Sequence, residues 1–512
     1  TTTSFSHPVA AMKKCCGCNE SDREELSAWF AIVWPSCLAS MLFFLMDVTD
    51  ESMLGHFRHG DLLPAASSAV LVISLTGALF QRGPCGAVAT LSANAYGAGQ
   101  TDLGGSRLIF GLTFTSLFSL CFAPVWWFAG DVLKTLANKS DMDITNVDVF
   151  GRWRVIGLVP NAVFMVLRAW LQGRKVTRPA LYSAMMGFIL NLILNLTLIF
   201  GVGEWKGLGF IGSPISTAVS RWAMCLMLLI LGRHEIRRCW PSSFRASFRA
   251  PRRREFSKLF LPLMFGGFLE EFNMQLTAMF ALHFGEQDLA AHNCMLTAFM
   301  VLSAVMMGCV EGTSTRVSHH IVRGDVPKMK RVVALAFRVM ITWSMLVAFV
   351  FFVLQDRIGM FFSKNQEVWI VSGQLSFLVA LVYCVMCIFY LSMAVLRGIA
   401  RPTVVMISFL LGCYCVGLPC TYLFGFKVDP SILSWWPYFD ASSREAEGGC
   451  GVLGLWVGLC FGYLVTTLTA SSRLVCMQNW EREVERARAM AELSTQREAL
   501  VEVTSPTDDQ CA

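Results

Sequence analysis

Charge is scarce in this chain: Asp, Glu, Lys and Arg make up only 15% of 512 residues, and Tyr contributes 8 positions against 39 for Phe. With 55% of residues apolar and a mean hydropathy of +0.54, so little charge excludes a water-soluble globular protein. The formal net charge of +6 is too small to point to nucleic acid. No His-x-x-x-His pair, no Cys and His cluster on a helix and no glycine-rich nucleotide loop is present, which argues against a metalloenzyme or a nucleotide-driven machine. No cleavable signal peptide is visible ahead of the first apolar run, and Met12 is a candidate start. Cysteine is plentiful, at 19, but positions such as Cys121, Cys225, Cys309 and Cys387 lie inside apolar runs. A thiol there behaves as a small hydrophobe, not as half of a disulfide framework.

What the chain does have is apolar length. Twelve segments are long enough to span a bilayer, at about 29–53, 66–93, 107–128, 148–172, 180–202, 207–231, 257–281, 289–312, 332–354, 368–395, 403–424 and 452–476. An even number leaves both tails on one side. The strongly basic link 232–258 falls between segments six and seven, and Arg174, Lys175, Arg323, Lys328, Arg397 and Arg401 all lie in loops of the same parity. The positive-inside rule therefore predicts that these loops and both tails are cytoplasmic. Lys13 and Lys14 with Cys15, Cys16 and Cys18 form a basic patch offering thiols for palmitoylation. Asn138-Lys139-Ser140 is a glycosylation triplet in an outer loop.

The most informative span is Phe256 to Phe280, because it carries Glu270 and Glu271. At about 1.5 Å per residue Glu270 lies roughly 18 Å from Lys258, close to the midplane of a hydrocarbon core about 30 Å thick. Ionisable groups at that depth are costly and mark ion, proton or substrate pathways; the alternative is a salt bridge internal to the bundle. Asp47, Asp50 and Glu51 share one face of the first span by their i, i+3, i+4 spacing. Three acids there cannot all stay ionised in a poorly hydrated bundle, so a proton site is one reading. A hydrated rim, or salt bridges to Arg82 or Arg221 in spans two and six, is the other. Asn191, Asn195, Gln275 and Asn293 lie at midplane depth, as interhelical hydrogen-bond partners or as ligands. Arg168 and Glu311, near cytoplasmic helix ends, read as snorkelling or interface residues, and His292 as interfacial.

The sequence also repeats. Gly83 followed by Thr90-Leu91-Ser92 is echoed by Gly308 followed by Thr315-Arg316-Val317-Ser318, 225 residues on. Leu171-Gln172-Gly173 is echoed by Leu396-Arg397-Gly398 at the same displacement. Two six-helix halves of equal orientation follow, with substrate expected between them near the midplane.

Pro35, Asp50, Gly55-His56, Gly83, Thr90 and Ala95-Tyr96-Gly97-Ala98-Gly99 in the first half resemble positions of the multidrug and toxic compound extrusion (MATE) family. Pro262, Leu269-Glu270, Ala290-Ala291-His292, Ser314-Thr315-Arg316-Val317 and Gly454-Leu455-Trp456 continue the resemblance, and Trp480-Glu481-Arg482-Glu483 is similar to the eukaryotic branch. The resemblance implies an all-α polytopic membrane protein of twelve transmembrane helices in two pseudo-symmetric six-helix lobes. It also implies antiport of organic cations or other xenobiotics and metabolites out of the cytoplasm in exchange for H+ or Na+. Two departures stand out. Thr297 and Met386 occupy places where eukaryotic members carry further acids, and Ser74 and Arg82 replace an Asn and an apolar residue.

The expected organisation is a cytoplasmic tail at 1–28, a first lobe at 29–231, a basic linker at 232–256, a second lobe at 257–476 and a cytoplasmic tail at 477–512. Glu270, Glu271, Asp50 and Asp47 are the candidate coupling carboxylates. Glu270, Ser74, Asn195, Gln275, Asn293 and Thr297 are the candidate substrate ligands. No catalytic residue, metal or cofactor beyond the coupling ion is expected. The expected partners are a small-molecule substrate and membrane lipids, not nucleic acid, for a monomer in the plasma membrane or a vacuolar or vesicular membrane. A flippase of a lipid-linked or anionic metabolite is the alternative. It would need a strongly cationic cavity, for which Arg82 and Arg221 are the visible donors.

Overall fold

The computed structural model describes residues 20–56, 62–137, 144–241, 244–355, 357–362, 365–433, 449–476 and 480–486. The patch at Lys13–Cys18, the Asn138 triplet and most of the 425–450 loop lie outside the described residues. Among those described, the chain is built of helices, with one isolated bridge between Val202 and Trp205. The first half comprises α1 (Glu20–His56), α2 (Leu63–Gly97), α3 (Thr101–Leu120), the short α4 (Ala123–Trp127) and α5 (Ala129–Ala137), α6 (Ile144–Val155), α7 (Leu158–Gly173), α8 (Arg178–Phe200) and α9 (Gly212–Arg238). The second comprises α10 (Ala250–His283), α11 (Glu286–Arg323), α12 (Val326–Leu354), the short α13 (Ile358–Phe362), α14 (Gln366–Gly398), α15 (Pro402–Phe409), α16 (Leu418–Phe426) and α17 (Gly451–Cys476). α15 and α16 are joined through π-helical turns at Leu410–Gly417.

Among the described residues ten helices are long and apolar enough to cross a membrane, and α6 with α7, bent by 50°, makes an eleventh. The twelfth expected span is α10. It is 34 residues long, but Glu270, Glu271, Asn273 and Gln275 dilute its apolar character. Large apolar side chains stay exposed on outward faces, among them Leu117, Ile189, Ile193, Phe349 and Phe352, as suits a surface solvated by lipid.

The repeat seen in the sequence is also a repeat of backbone conformation. Gly99 and Gly324, 225 residues apart, take φ of +75° and +76°. Lys175 and Ala400, separated by the same distance, are the two non-glycine residues with positive φ among those described, at 65° and 58°. The N–H of the following residue closes the same turn in both halves, Val176 to the Leu171 carbonyl at 2.9 Å and Arg401 to the Leu396 carbonyl at 2.8 Å. Such turns need a left-handed residue, which costs a side-chain-bearing residue energy, so their recurrence is fold-level symmetry.

Glycines related by the repeat also set how the lobes meet. A Cβ on Gly83 would stand 2.7 Å from Met264 of α10, and one on Gly308 would stand 2.3 Å from the Cys37 sulfur of α1. Bare backbone at these points lets α2 lie against α10 and α11 against α1, so each lobe contributes one helix to each crossing. Pro35 lies inside α1 and leaves the Ala31 carbonyl without its helical donor; the Thr177 hydroxyl supplies one at 3.4 Å. His292 corrects an expectation. Because α11 begins at Glu286, His292 falls in its second turn, 2% exposed, with its ring 5.6 Å from that of Trp456.

The link between the lobes is folded under the first of them. Gly105 of α3 touches it, and a Cβ there would stand 1.6 Å from the Cys239 carbonyl oxygen. Gly105→Ala is therefore expected to force α3 and the link apart at about 1–3 kcal/mol, the scale of overpacking. Thermal unfolding of the purified protein should shift down by several degrees; an unchanged midpoint would show that the contact yields freely.

Candidate functional site

A cavity of about 460 Å³ lies between the lobes. Its walls combine α1, α2, α7 and α9 with α10, α11 and α14, and its charged lining comprises Asp47, Arg82, Arg154, Arg168, Arg221, Glu270, Glu271 and Glu311. At the end where α1 begins and α17 ends, the lobes are sealed together. Arg316 and His320 of α11 hold Glu25 of α1. His319 Nε2 donates to the Gly173 carbonyl at 2.8 Å, and Arg323 Nε donates to the Gly97 carbonyl at 3.2 Å. A Cβ on Gly97 would lie 3.1 Å from His319 Cα, so helix backbones meet directly. In the turn beside this seal, burial and then Arg316 and Arg323 push the Lys175 ammonium below its ordinary value.

The cavity floor stands on this seal. Glu311 of α11 accepts from Gln172 Nε2 at 2.6 Å and from Arg168 at 3.4 Å, both on α7. These residues bridge the lobes rather than snorkel.

At mid-depth Glu270 is held from both sides. Arg82 Nη1 of α2 donates to its Oε2 at 2.5 Å, and the Tyr390 hydroxyl of α14 donates to its Oε1. Arg82 Nη2 reaches Glu271 Oε2 at 3.4 Å, and Gln275 Nε2 bonds the other Glu271 oxygen at 3.3 Å. Arg82 thus pairs across the lobe interface, not with Asp47 or Asp50. The π-helical turns support this point, since Tyr414 within them donates to the Leu269 carbonyl at 2.6 Å.

Asp50 faces away from the cavity, into the body of the first lobe. Its carboxylate accepts from Asn195 Nδ2 at 2.7 Å, Asn191 Nδ2 at 3.0 Å, Thr217 Oγ1 at 2.5 Å and Arg154 Nη1 at 3.4 Å. Asn191 and Asn195 are i, i+4 on α8, so one face of that helix serves one carboxylate. Asp47, one turn earlier, opens to the cavity, 3.8 Å from Arg221 and 3.9 Å from Arg154. The Arg221 guanidinium lies 3.6 Å from the Phe43 ring centroid.

Of the candidate substrate ligands, Ser74 and Glu270 line the cavity. Asn195 is buried in the Asp50 cage, Gln275 serves Glu271, and the Thr297 hydroxyl bonds the Asn293 carbonyl at 2.8 Å within its own helix. Asn293 and Thr297 are outside the cavity lining. Arg154 and Tyr390 were not singled out from the sequence. A charge inside an apolar span demands a partner, which could have flagged Arg154; a phenol in a Phe-rich span carries no comparable signal.

Two helical lobes around one charged, half-closed cavity define a membrane transporter. Its family follows from comparison: the MatE family model matches residues 35–197 and 262–423, and the chain belongs to that family. It is 23% identical over 467 residues to multidrug resistance protein NorM of Vibrio cholerae, a match covering 90% of this chain and 98% of that protein. It is 24% identical over 444 residues to multidrug and toxin extrusion protein 1 of Xenopus tropicalis, covering 85% and 74%. An uncharacterized transporter of Saccharomyces cerevisiae is 25% identical over 463 residues, and the chain spans 62% of that relative's length. The fold is similar to the crystal structure of the eukaryotic MATE transporter AtDTX14, with TM-score 0.79 at 20% identity over 92% of this chain and 99% of the other. A Vibrio cholerae MATE transporter, VcmN in the bent form, gives TM-score 0.74 at 17% identity, covering 92% and 100%.

Proposed function

We propose that the protein is a secondary active antiporter, moving small organic solutes that carry a positive charge out of the cytoplasm in exchange for H+ by alternating access. The carrying observation is the Glu270 and Glu271 pair, aimed into a cavity closed at the end where α1 begins and α17 ends. A carboxylate between lobes can hold either a proton or a cation, and each replaces the other's charge in a poorly solvated site. That competition is the elementary act of antiport. On this reading the tails and basic link face the cytoplasm, and the cavity opens to the opposite side. Asp50, caged by amides and Arg154 behind the cavity wall, is the proposed second proton site.

The test is the purified full-length protein in proteoliposomes with a proton gradient imposed across the bilayer. Tetraethylammonium should accumulate against its gradient on the acidic side, and collapsing the gradient with an ionophore should stop it. Accumulation driven by a Na+ gradient and indifferent to pH would change the coupling ion. No flux under either gradient would overturn the antiporter reading.

A further inference from the structure

The inference concerns the substrate class of this cavity and rests on the antiporter reading above. We propose that Arg82 is a specificity-determining residue, and that the site takes amphoteric solutes: molecules with an apolar body, one cationic group and one carboxylate-like anion.

Four Arg and four acids line the cavity, so its formal charges balance. A site built for simple cations gains from a surplus of negative charge, because the summed field concentrates the ligand. Here there is no surplus. The acid pair at the centre is already engaged, since the two nitrogens of the Arg82 fork reach Glu270 and Glu271. A guanidinium tethered to the protein stands where a substrate cation would stand.

Displacing it has a cost that depends on what the incoming molecule carries. A simple monocation takes the carboxylates but leaves Arg82, 40% exposed toward the cavity, without an ion partner, so it binds with one ion pair given up for the one gained. A molecule with its own anion completes the exchange. Its cation takes Glu270 and Glu271, while its carboxylate takes the freed fork in the bidentate geometry that guanidinium favours. One ion pair becomes two.

The arrangement is built rather than incidental. The Arg82 stem lies across Gly267, one turn before Glu270 on α10, and a Cβ there would stand 2.7 Å from Arg82 Cδ and 2.9 Å from its Cβ. Absence of a side chain at 267 is what gives the stem its bed. Arg82 keeps 40% of its side chain exposed toward the cavity, whereas Arg174 near the seal keeps 3%. A second observation points the same way from the facing wall. Arg221 is 8% exposed and its Nη1 has no hydrogen-bond partner, while its neighbour Asp47 lies 3.8 Å away, outside hydrogen-bond range. That is a cation short of an acceptor. Met165, Met274, Met300, Met306 and Met307, with Phe43, supply a soft apolar wall that adapts to the body of the solute.

Rhodamine 110 and rhodamine 123 test this directly, because they share one xanthene body. The first is a zwitterion; the second is its methyl ester, a plain cation. Fluorescence anisotropy with the detergent-solubilised full-length protein should show rhodamine 110 bound about tenfold tighter or more, roughly 1.4 kcal/mol. Arg82→Leu should abolish or reverse that preference by freeing the acids and removing the anion's partner, and Arg82→Lys should retain part of it. Gly267→Ala keeps every charge but displaces the stem, so it should also lower the preference. Should Arg82→Leu fail to fold, Arg82→Lys and Gly267→Ala carry the test, and an unchanged preference in both would overturn the proposal. Equal wild-type affinity for the two dyes, or equal weakening of both by Arg82→Leu, would overturn it as well. With tetraethylammonium flux intact in the same preparation, such results remove the amphoteric assignment alone. Absence of any gradient-driven flux removes the antiporter reading beneath it.

Discussion

Glu270→Gln should stop proton-driven exchange, by roughly 100-fold or more, the scale on which a positioned proton-transfer group acts, while insertion and solute counterflow at equal pH persist. Gln keeps the size of the side chain, and its single amide oxygen can still accept from Arg82 while its N–H2 turns toward the Tyr390 oxygen, but it has no proton to load and release. Arg82 keeps 40% of its side chain exposed, so losing its partner costs less than the about 3–5 kcal/mol of a fully buried pair. Glu271, 3.4 Å from the second arm of the Arg82 fork, limits that loss here. Flux in proteoliposomes after a pH jump, read beside the thermal midpoint, separates the two effects. Glu271→Gln is the control, since Glu271 lacks the Tyr390 contact and leans on Gln275 of its own helix. If Glu271→Gln stops exchange and Glu270→Gln does not, the two carboxylates have been assigned the wrong roles.

The second large effect is expected at Asp50. Its oxygens accept from four donors, and Asn would turn an amide N–H2 toward some of them. Asp50→Asn alone should lower folded yield by about 3–5 kcal/mol of stability, because Arg154 loses its closest carboxylate, and should end exchange. Asp50→Asn with Arg154→Leu removes the stranded charge. Yield should recover while exchange stays absent, as expected of a proton site. Recovery of both yield and exchange in the double variant would make Asp50 purely structural.

Much of the architecture could be read from sequence because it is local or periodic. Span lengths follow from apolar runs, and the 225-residue echo becomes the paired left-handed turns at Gly99 and Gly324 and at Lys175 and Ala400. The depth of Glu270 also follows from counting residues along a helix. What counting along one helix leaves open is direction around its axis and the identity of the helix opposite. Arg82 invited pairing with acids of its own half, whereas the glycine crossing of α2 on α10 brings it to an acid 188 positions away. Asn195 and Asn293 sit at similar depths, yet one turns inward to Asp50 and the other stays out of the cavity, because nearly all-round apolar helices give no preferred face. Arg154 and Tyr390 acquire their roles only from partners on other helices.

The seal of Glu25, Arg316, His319 and Gly97 has an electrical consequence. A water-filled cavity stands near the potential of the compartment it opens to, so a resting membrane voltage falls mainly across the thin closed end. Moving one elementary charge through that drop is worth about 2.3 kcal/mol per 100 mV. The fixed charges of the floor and seal, Glu311, Arg168, Arg316 and Glu25, therefore lie within a concentrated field. On the proposed alternating-access cycle the closed end changes sides, and that field is handed to the other end of the cavity. If the protein exchanges solutes as proposed, turnover is expected to depend on membrane voltage through these residues, even where the exchange carries no net charge.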